Sequence, residues 1–258
     1  MHLVCTGTAS ISTVATVSLA RPGESGDPRL SVFKVCVSSQ MSTQLRLGAL
    51  SWVLTIEFFI AQFIAQSAFR DYALALEDIS NLGVTTCDTT NPASGVLTCS
   101  PLHLVFNAGI FINGVLVILG VWLTRALWPR QTRTRVALSI IALGGGLGCI
   151  IVGLFPVNEN EIPHVVGAIL ALLVSCAGIA LLGAVMWRVN RGFAAYSVGT
   201  ALLCIFGFAL YALAIGHQLD IGRGLAERIT AWPQNLWYIV TGALILSRRL
   251  APAPFPKV

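Results

Sequence analysis

Three of the four histidines, His103, His164 and His217, fall where long apolar runs meet short polar turns. Two carboxylates, Asp78 and Glu227, fall in turns of the same kind. Neutral imidazoles and a carboxylate are what a zinc ion needs, with a fourth position open for water, and a metal-dependent membrane hydrolase would use them so. Asn107 lies four residues after His103, so on a helix the two share a face. No pair has a diagnostic spacing such as His-Glu-x-x-His. The competing readings are interfacial histidines bonded to loops and headgroups, or a proton- or substrate-binding role for the imidazoles. No catalytic residue is assigned by type and spacing alone.

Glu57 is different, because it sits near the middle of an apolar run. A carboxylate at that depth costs about 3 kcal/mol on insertion scales and is a functional candidate by default. It could carry a proton for a transporter; a protonated or hydrogen-bonded structural role is the alternative. It is off the helical face of Thr55, Gln62 and Gln66. Glu227-Arg228, after Gly222-Arg-Gly224, could bind a lipid phosphate or carboxylate through the arginine fork. A local ion pair that shapes the turn is the plainer account. No P-loop, dinucleotide fingerprint, haem motif, nucleophile elbow or nucleic-acid motif occurs.

These residues need elements to position them, and the composition says which. Of 258 residues, 55% are hydrophobic and only 10% charged, where a soluble domain carries about 25% charged residues. The net charge of +5 is spread in short clusters at the ends of apolar runs. That is the signature of membrane topology, with no polyanionic partner needed. The fold class is therefore an all-α polytopic membrane bundle. Six spans near the ~20 residues a bilayer requires are expected at Leu47–Ala68, Leu102–Leu123, Val136–Phe155, Val165–Trp187, Phe193–Gly216 and Trp232–Leu246. Residues 1–40 read as a disordered or over-extended start of the gene, 41–250 as the membrane domain, and 251–258 as a short tail. Turns holding Arg125, Arg130, Arg133 and Arg135, then Arg188 and Arg191, then Arg248, Arg249 and Lys257, alternate with acidic ones. Lys and Arg stay inside, which puts both termini in the cytoplasm and the histidines outside. Trp122, Trp128 and Trp187 are expected at the inner boundary, and Trp232, Trp237 and Tyr238 at the outer one.

Spans two, four and six are expected to start near Pro101, Pro163 and Pro233, since proline suits a helix's first turn. Gly144-x-x-x-Gly148 is a close-approach spacing, and Gly167, Ala168, Ala171, Ser175 and Gly178 share a face of span four. Of the seven cysteines, Cys149, Cys176 and Cys204 lie within spans as packing residues. Cys87 and Cys99 share an outer loop, where the compartment permits a disulfide and Asn91-Pro92 and Ser94-Gly95 let the chain reverse.

Four stretches together resemble a known family: Asp78-Ile-Ser80-Asn81-Leu-Gly83, Cys99-Ser-Pro-Leu-His103-Leu-Val-Phe-Asn107, Gly153-Leu-Phe-Pro156 with His164, and Gly224-Leu-Ala-Glu227-Arg228. They look like the six-span prokaryotic membrane proteins grouped as domain of unknown function 998. The resemblance covers about Leu47 to Arg248. It implies a membrane protein, points to outer-face residues including Ser80 and Asn81, and supplies no mechanism. That pattern often has aspartate where this chain has Asn81, so a catalytic carboxylate there would be missing. The expectation is a cell-membrane protein with an outer-face site for a small molecule or lipid, acting as transporter or sensor. The zinc hydrolase and a structural or assembly partner without a site are the alternatives. Contact with membrane lipid is expected, and nucleic acid is not.

Overall fold

The computed structural model describes residues 13–17, 33–37, 41–87, 89–90, 97–216 and 221–250. Two compact units result, Met1–Ser42 and Thr43–Val258. In the first, β1 (Thr13–Val17) pairs antiparallel with β2 (Phe33–Val37); the expectation for the rest of 1–40, and for the tail after residue 250, falls outside the described residues.

The second unit is a helical bundle. Five of its helical segments are long and apolar enough to cross a bilayer: Thr43–Ala68, His103–Leu127, Thr132–Leu154, Glu161–Met186 and Arg191–Ile215. Each lies within four residues of an expected span at its ends, because each is an unbroken apolar run that can satisfy its backbone only as helix. Three of the five are interrupted along their length, and the second ends in a 3-10 turn at Arg125–Leu127. The first is α1 (Thr43–Leu54) and α2 (Glu57–Ala68), joined at Thr55–Ile56. There the amides of Thr55 and Ile56 reach back to Trp52 and Val53, three residues away, and the Thr55 hydroxyl also donates to the Trp52 carbonyl at 2.6 Å. The second is α3 (His103–Thr124). The third is α4 (Thr132–Ile141), a π-turn at Ala142–Leu147, and α5 (Gly148–Leu154). The fourth is α6 (Glu161–Ile169), a π-turn at Leu170–Val174, and α7 (Ser175–Met186). The fifth is α8 (Arg191–Ile215), capped by the Asn190 side chain, which accepts from the Phe193 amide at 3.0 Å.

The two π-turns lie where the third and fourth segments touch. A Cβ on Gly148 would sit 2.6 Å from the Ala171 nitrogen, and one on Gly144 would sit 2.4 Å from the Ser175 nitrogen. The small-residue faces read from the sequence are thus one contact, backbone against backbone.

The last helix corrects two expectations. α9 runs Arg223–Leu246, nine residues earlier than the expected start at Trp232, so Pro233 is inside it and starts nothing. Pro163, by contrast, does lie in the first turn of α6, and Pro101 precedes α3. The early start carries Trp237 and Tyr238 inward. They are 0% and 1% exposed and form no outer belt. Trp237 packs its ring 5.7 Å from Trp52 and 5.9 Å from Phe193, and Trp52 lies 6.2 Å from Trp128, itself buried. Trp122 and Trp187 do remain exposed on the surface.

Candidate functional site

The loop from Tyr72 to Gly83, between α2 and α3, folds over the beginning of α9. What holds it there is a set of buried polar contacts between residues roughly 150 positions apart. The Arg228 Nη1 donates to the carbonyls of Glu77 at 2.9 Å and Gly224 at 2.8 Å, and its Nη2 to the Tyr72 hydroxyl at 2.6 Å. The guanidinium also stacks over the Tyr72 and Trp232 rings. The Glu227 carboxylate accepts from the Ile79 amide. Arg223 donates to Asp78 Oδ2 at 2.5 Å, and the Tyr211 hydroxyl donates to the same oxygen at 3.1 Å. The backbone of α9 must come close enough for this. A Cβ on Gly224 would meet the Glu77 carbonyl oxygen at 2.1 Å, and one on Gly222 the Ala75 carbonyl oxygen at 2.0 Å. Gly222-Arg-Gly224 is therefore the surface on which the loop sits.

The loop is tied at two further points. Asn107 donates to the Gly83 carbonyl at 2.9 Å, and Ser100 to the Leu82 carbonyl at 2.6 Å. Beyond Gly83, Thr85 donates to Glu159 at 2.6 Å, and Asn158 donates to Thr85 and Thr86. That links the first loop to the turn before α6. Cys87 and Cys99 are disulfide-bonded, their Cα atoms 4.4 Å apart, next to the short hairpin of β3 (Thr89–Thr90) and β4 (Leu97–Thr98).

Burial raises the Asp78 carboxyl above the ordinary carboxylate range, while Arg223 and Tyr211 pull it down. Burial likewise raises the Tyr72 hydroxyl, against the pull of Arg228. Tyr72 thus keeps its proton and donates to the Asp78 carbonyl at 3.0 Å.

Under this cap lies a cavity of about 50 Å³. Ile79 and Ser80 line its loop end. Phe58 of α2, Phe106 and Ile110 of α3, Cys149 of α5, His164 and Ala168 of α6, and Glu227, Gln234 and Asn235 of α9 form its walls. A water needs about 10–15 Å³ on this measure, so the space suits a few waters or a ligand of a few heavy atoms. His164 donates from Nδ1 to the Phe155 carbonyl at 2.8 Å. A carbonyl can only accept, so the neutral ring keeps its acceptor lone pair on Nε2. The Asn235 amide donates to Ala231 at 3.1 Å, and its Oδ1 is buried without a protein hydrogen bond.

At the far end of the cavity Cys149 accepts from Asn113 Nδ2 at 3.7 Å. Glu57 is in the same layer: a Cβ on Gly109, one turn before Asn113, would lie 3.4 Å from Glu57 Oε2. Glu57 therefore turns its carboxylate toward α3. Its Oε1 and the Asn113 Oδ1 are both buried acceptors without a protein donor.

Of the site residues expected from sequence, Ser80, His164 and Glu227 line the cavity. Asp78 and Arg228 hold the cap, and Asn81 donates to Glu77 Oε2 at 2.5 Å. Asn107 anchors the loop. His103 donates from Nδ1 to the Ser100 carbonyl at 2.9 Å, at the start of α3 and away from the cavity lining. His217 lies outside the described residues. Among the described residues no group of three His, Cys, Asp or Glu could hold a metal ion. The sequence reading missed Tyr72, Glu77, Tyr211, Arg223, Gln234 and Asn235. The polar pair Gln234-Asn235 inside an expected span was a signal; the partners of Arg223 and Arg228 had none.

A bundle in which five helices are long and apolar enough to cross a bilayer defines a multi-pass membrane protein. The chain belongs to the family described as Protein of unknown function (DUF998), which it matches over residues 50–244. No curated protein and no solved structure matches it.

Proposed function

We propose that the chain is a six-span protein of the cell membrane, with both termini cytoplasmic, whose capped cavity binds a small ligand of a few heavy atoms from the outer side as a transporter or sensor. The observation that carries this reading is the cavity itself. It gathers Ser80, His164, Glu227 and Asn235 from three separate parts of the chain, the first loop, α6 and α9, and a bundle that needed only packing would leave no polar side chains around such a space. Glu57 would serve as the proton-bearing group below it. One proton on Glu57, passed directly or through water, would satisfy both it and Asn113, and would remove the cost of a charge at that depth.

The test is accessibility. In a background with Cys149, Cys176 and Cys204 replaced by Ala, a cysteine at Ala168 should react with a membrane-impermeant thiol reagent added outside. A cysteine at Ala137, which is fully buried, should not. Equal protection of both would end the proposal.

The zinc reading is a second proposal, favoured by one observation: His103 and His164 both spend Nδ1 on a backbone carbonyl, the usual orientation of a metal-binding ring. It would require His217 to complete the set, and Asp78 is already engaged by Arg223. Metal analysis of the purified protein tests it; substoichiometric zinc would dismiss it.

A further inference from the structure

We propose that a second cavity, at the opposite end of the bundle between α4, α7 and α8, is a binding site for an anionic phospholipid whose phosphodiester is held by Arg133 and Arg188. The cavity is about 570 Å³ and is lined at its polar end by Gln131, Arg133 and Arg188 and elsewhere by Leu181, Val185 and Val198. Arg133 is in the first turn of α4, and Arg188 follows the last turn of α7, so two antiparallel helices deliver both guanidiniums to one opening.

Among the described residues, no ion pair or hydrogen bond occupies either guanidinium. The described acids other than Glu57, namely Asp71, Glu77, Asp78, Glu159, Glu161 and Glu227, belong to the loops and helix starts of the capped end. Among the described residues the pair thus lacks a counter-charge within the bundle. An anion between them relieves their repulsion, and arginine's planar fork matches phosphate oxygens.

The apolar wall selects among anions. A free phosphate has no use for Leu181, Val185 and Val198, whereas a phospholipid places its headgroup on the arginines and its acyl chains along those side chains. Trp187 lines the same cavity and is 49% exposed, at the level where indole rings meet headgroups. Basic pockets between helices are the known form of such recognition. The site is independent of the capped cavity and its proposed role.

The experiment uses the full-length protein in phosphatidylcholine vesicles containing brominated phosphatidylglycerol or brominated phosphatidylcholine, reading tryptophan quenching with Trp187→Phe as the assignment control. Brominated phosphatidylglycerol should win the site by roughly tenfold or more, and the preference should fall to about unity in Arg133→Gln/Arg188→Gln. Val198→Phe leaves the charges in place and puts a ring across the apolar wall where the acyl chains would lie; it should abolish the preference too, and it serves should the double variant fail to fold. Equal quenching by both lipids in the wild type overturns the proposal. So does a preference that survives Val198→Phe. Loss of the preference on adding inorganic phosphate would assign the arginines to a soluble anion and also overturn it.

Discussion

Arg228 shows what a single side chain contributes here. It is 2% exposed, and its terminal nitrogens serve two carbonyls and a phenol at once. A lysine ammonium cannot reproduce that fork. Arg228→Lys should cost about 2–3 kcal/mol, since it leaves buried acceptors unpaired. Thermal unfolding of the purified protein measures this, and an unchanged midpoint would remove Arg228 from the cap. The Arg223–Asp78 pair behaves differently with pH. Asp78 is buried and its carboxyl is raised, so Arg223 offsets only part of the burial cost. Arg223→Gln leaves a buried carboxylate with only the Tyr211 hydroxyl as donor and should cost about 1–2 kcal/mol at pH 8, a modest figure because the pair is partly solvated. Asp78→Asn should cost less. The sign follows from linkage. A folded-state pKa above the unfolded one gives stability that is full at low pH and lost as pH rises through the folded value. The Arg223→Gln deficit should therefore shrink on acidification, as Asp78 takes up a proton. A deficit that grows on acidification would contradict the pull of Arg223 on the Asp78 carboxylate.

At the scale of elements, the two small-residue faces of the third and fourth segments were legible in advance, though not that they meet each other. Gly144-x-x-x-Gly148 and the small face from Gly167 to Gly178 announce close helices, because only small residues let backbones approach. Gly148→Val should cost about 1–3 kcal/mol by overpacking, read as a lower unfolding midpoint, while Gly199→Ala, which meets nothing within 4 Å, should not lower it, since alanine is the better helix former. The disulfide was legible for a similar reason: two cysteines in one loop, expected outside, with turn residues between them. Reducing it should lower stability by roughly 3 kcal/mol, and a midpoint indifferent to reductant would show that the loop is held by its other bonds alone. The π-turns were not legible, since nothing in Ala142–Leu147 or Leu170–Val174 distinguishes one extra residue per turn from an ordinary apolar helix. Nor was the start of α9. Arg223, Glu227 and Arg228 look like a solvated turn until their partners, Asp78, Ile79 and Glu77, are brought from about 150 residues away. Trp237 and Tyr238 were misplaced as a consequence.

For the whole molecule, the question is how many times the chain crosses the bilayer, and it turns on α9. The helix has 24 residues, which at 1.5 Å each gives about 36 Å, more than the ~30 Å hydrocarbon core. It nevertheless falls outside the five helices that qualify by apolar composition. The reason is where its polar residues point. Glu227, Arg228, Thr230, Gln234, Asn235 and Thr241 are all buried, whereas Leu225, Leu236 and Val240 are exposed. A helix enclosed by others needs apolar side chains only on its lipid face, so average composition understates its fitness to span. Its buried face holds the Trp237–Trp52 and Tyr238–Ser175 contacts, against helices that do qualify. If α9 spans, the chain crosses an even number of times after residue 43, and the Arg248–Arg249 end returns to the side of Arg46, Arg133 and Arg188. Basic residues are retained inside. A reporter fused after residue 250 and one inserted at residue 131 should therefore both be cytoplasmic, and one inserted at residue 90 should be exported. An exported C-terminal reporter with the other two as expected would leave α9 outside the bilayer core and reduce the crossings to five.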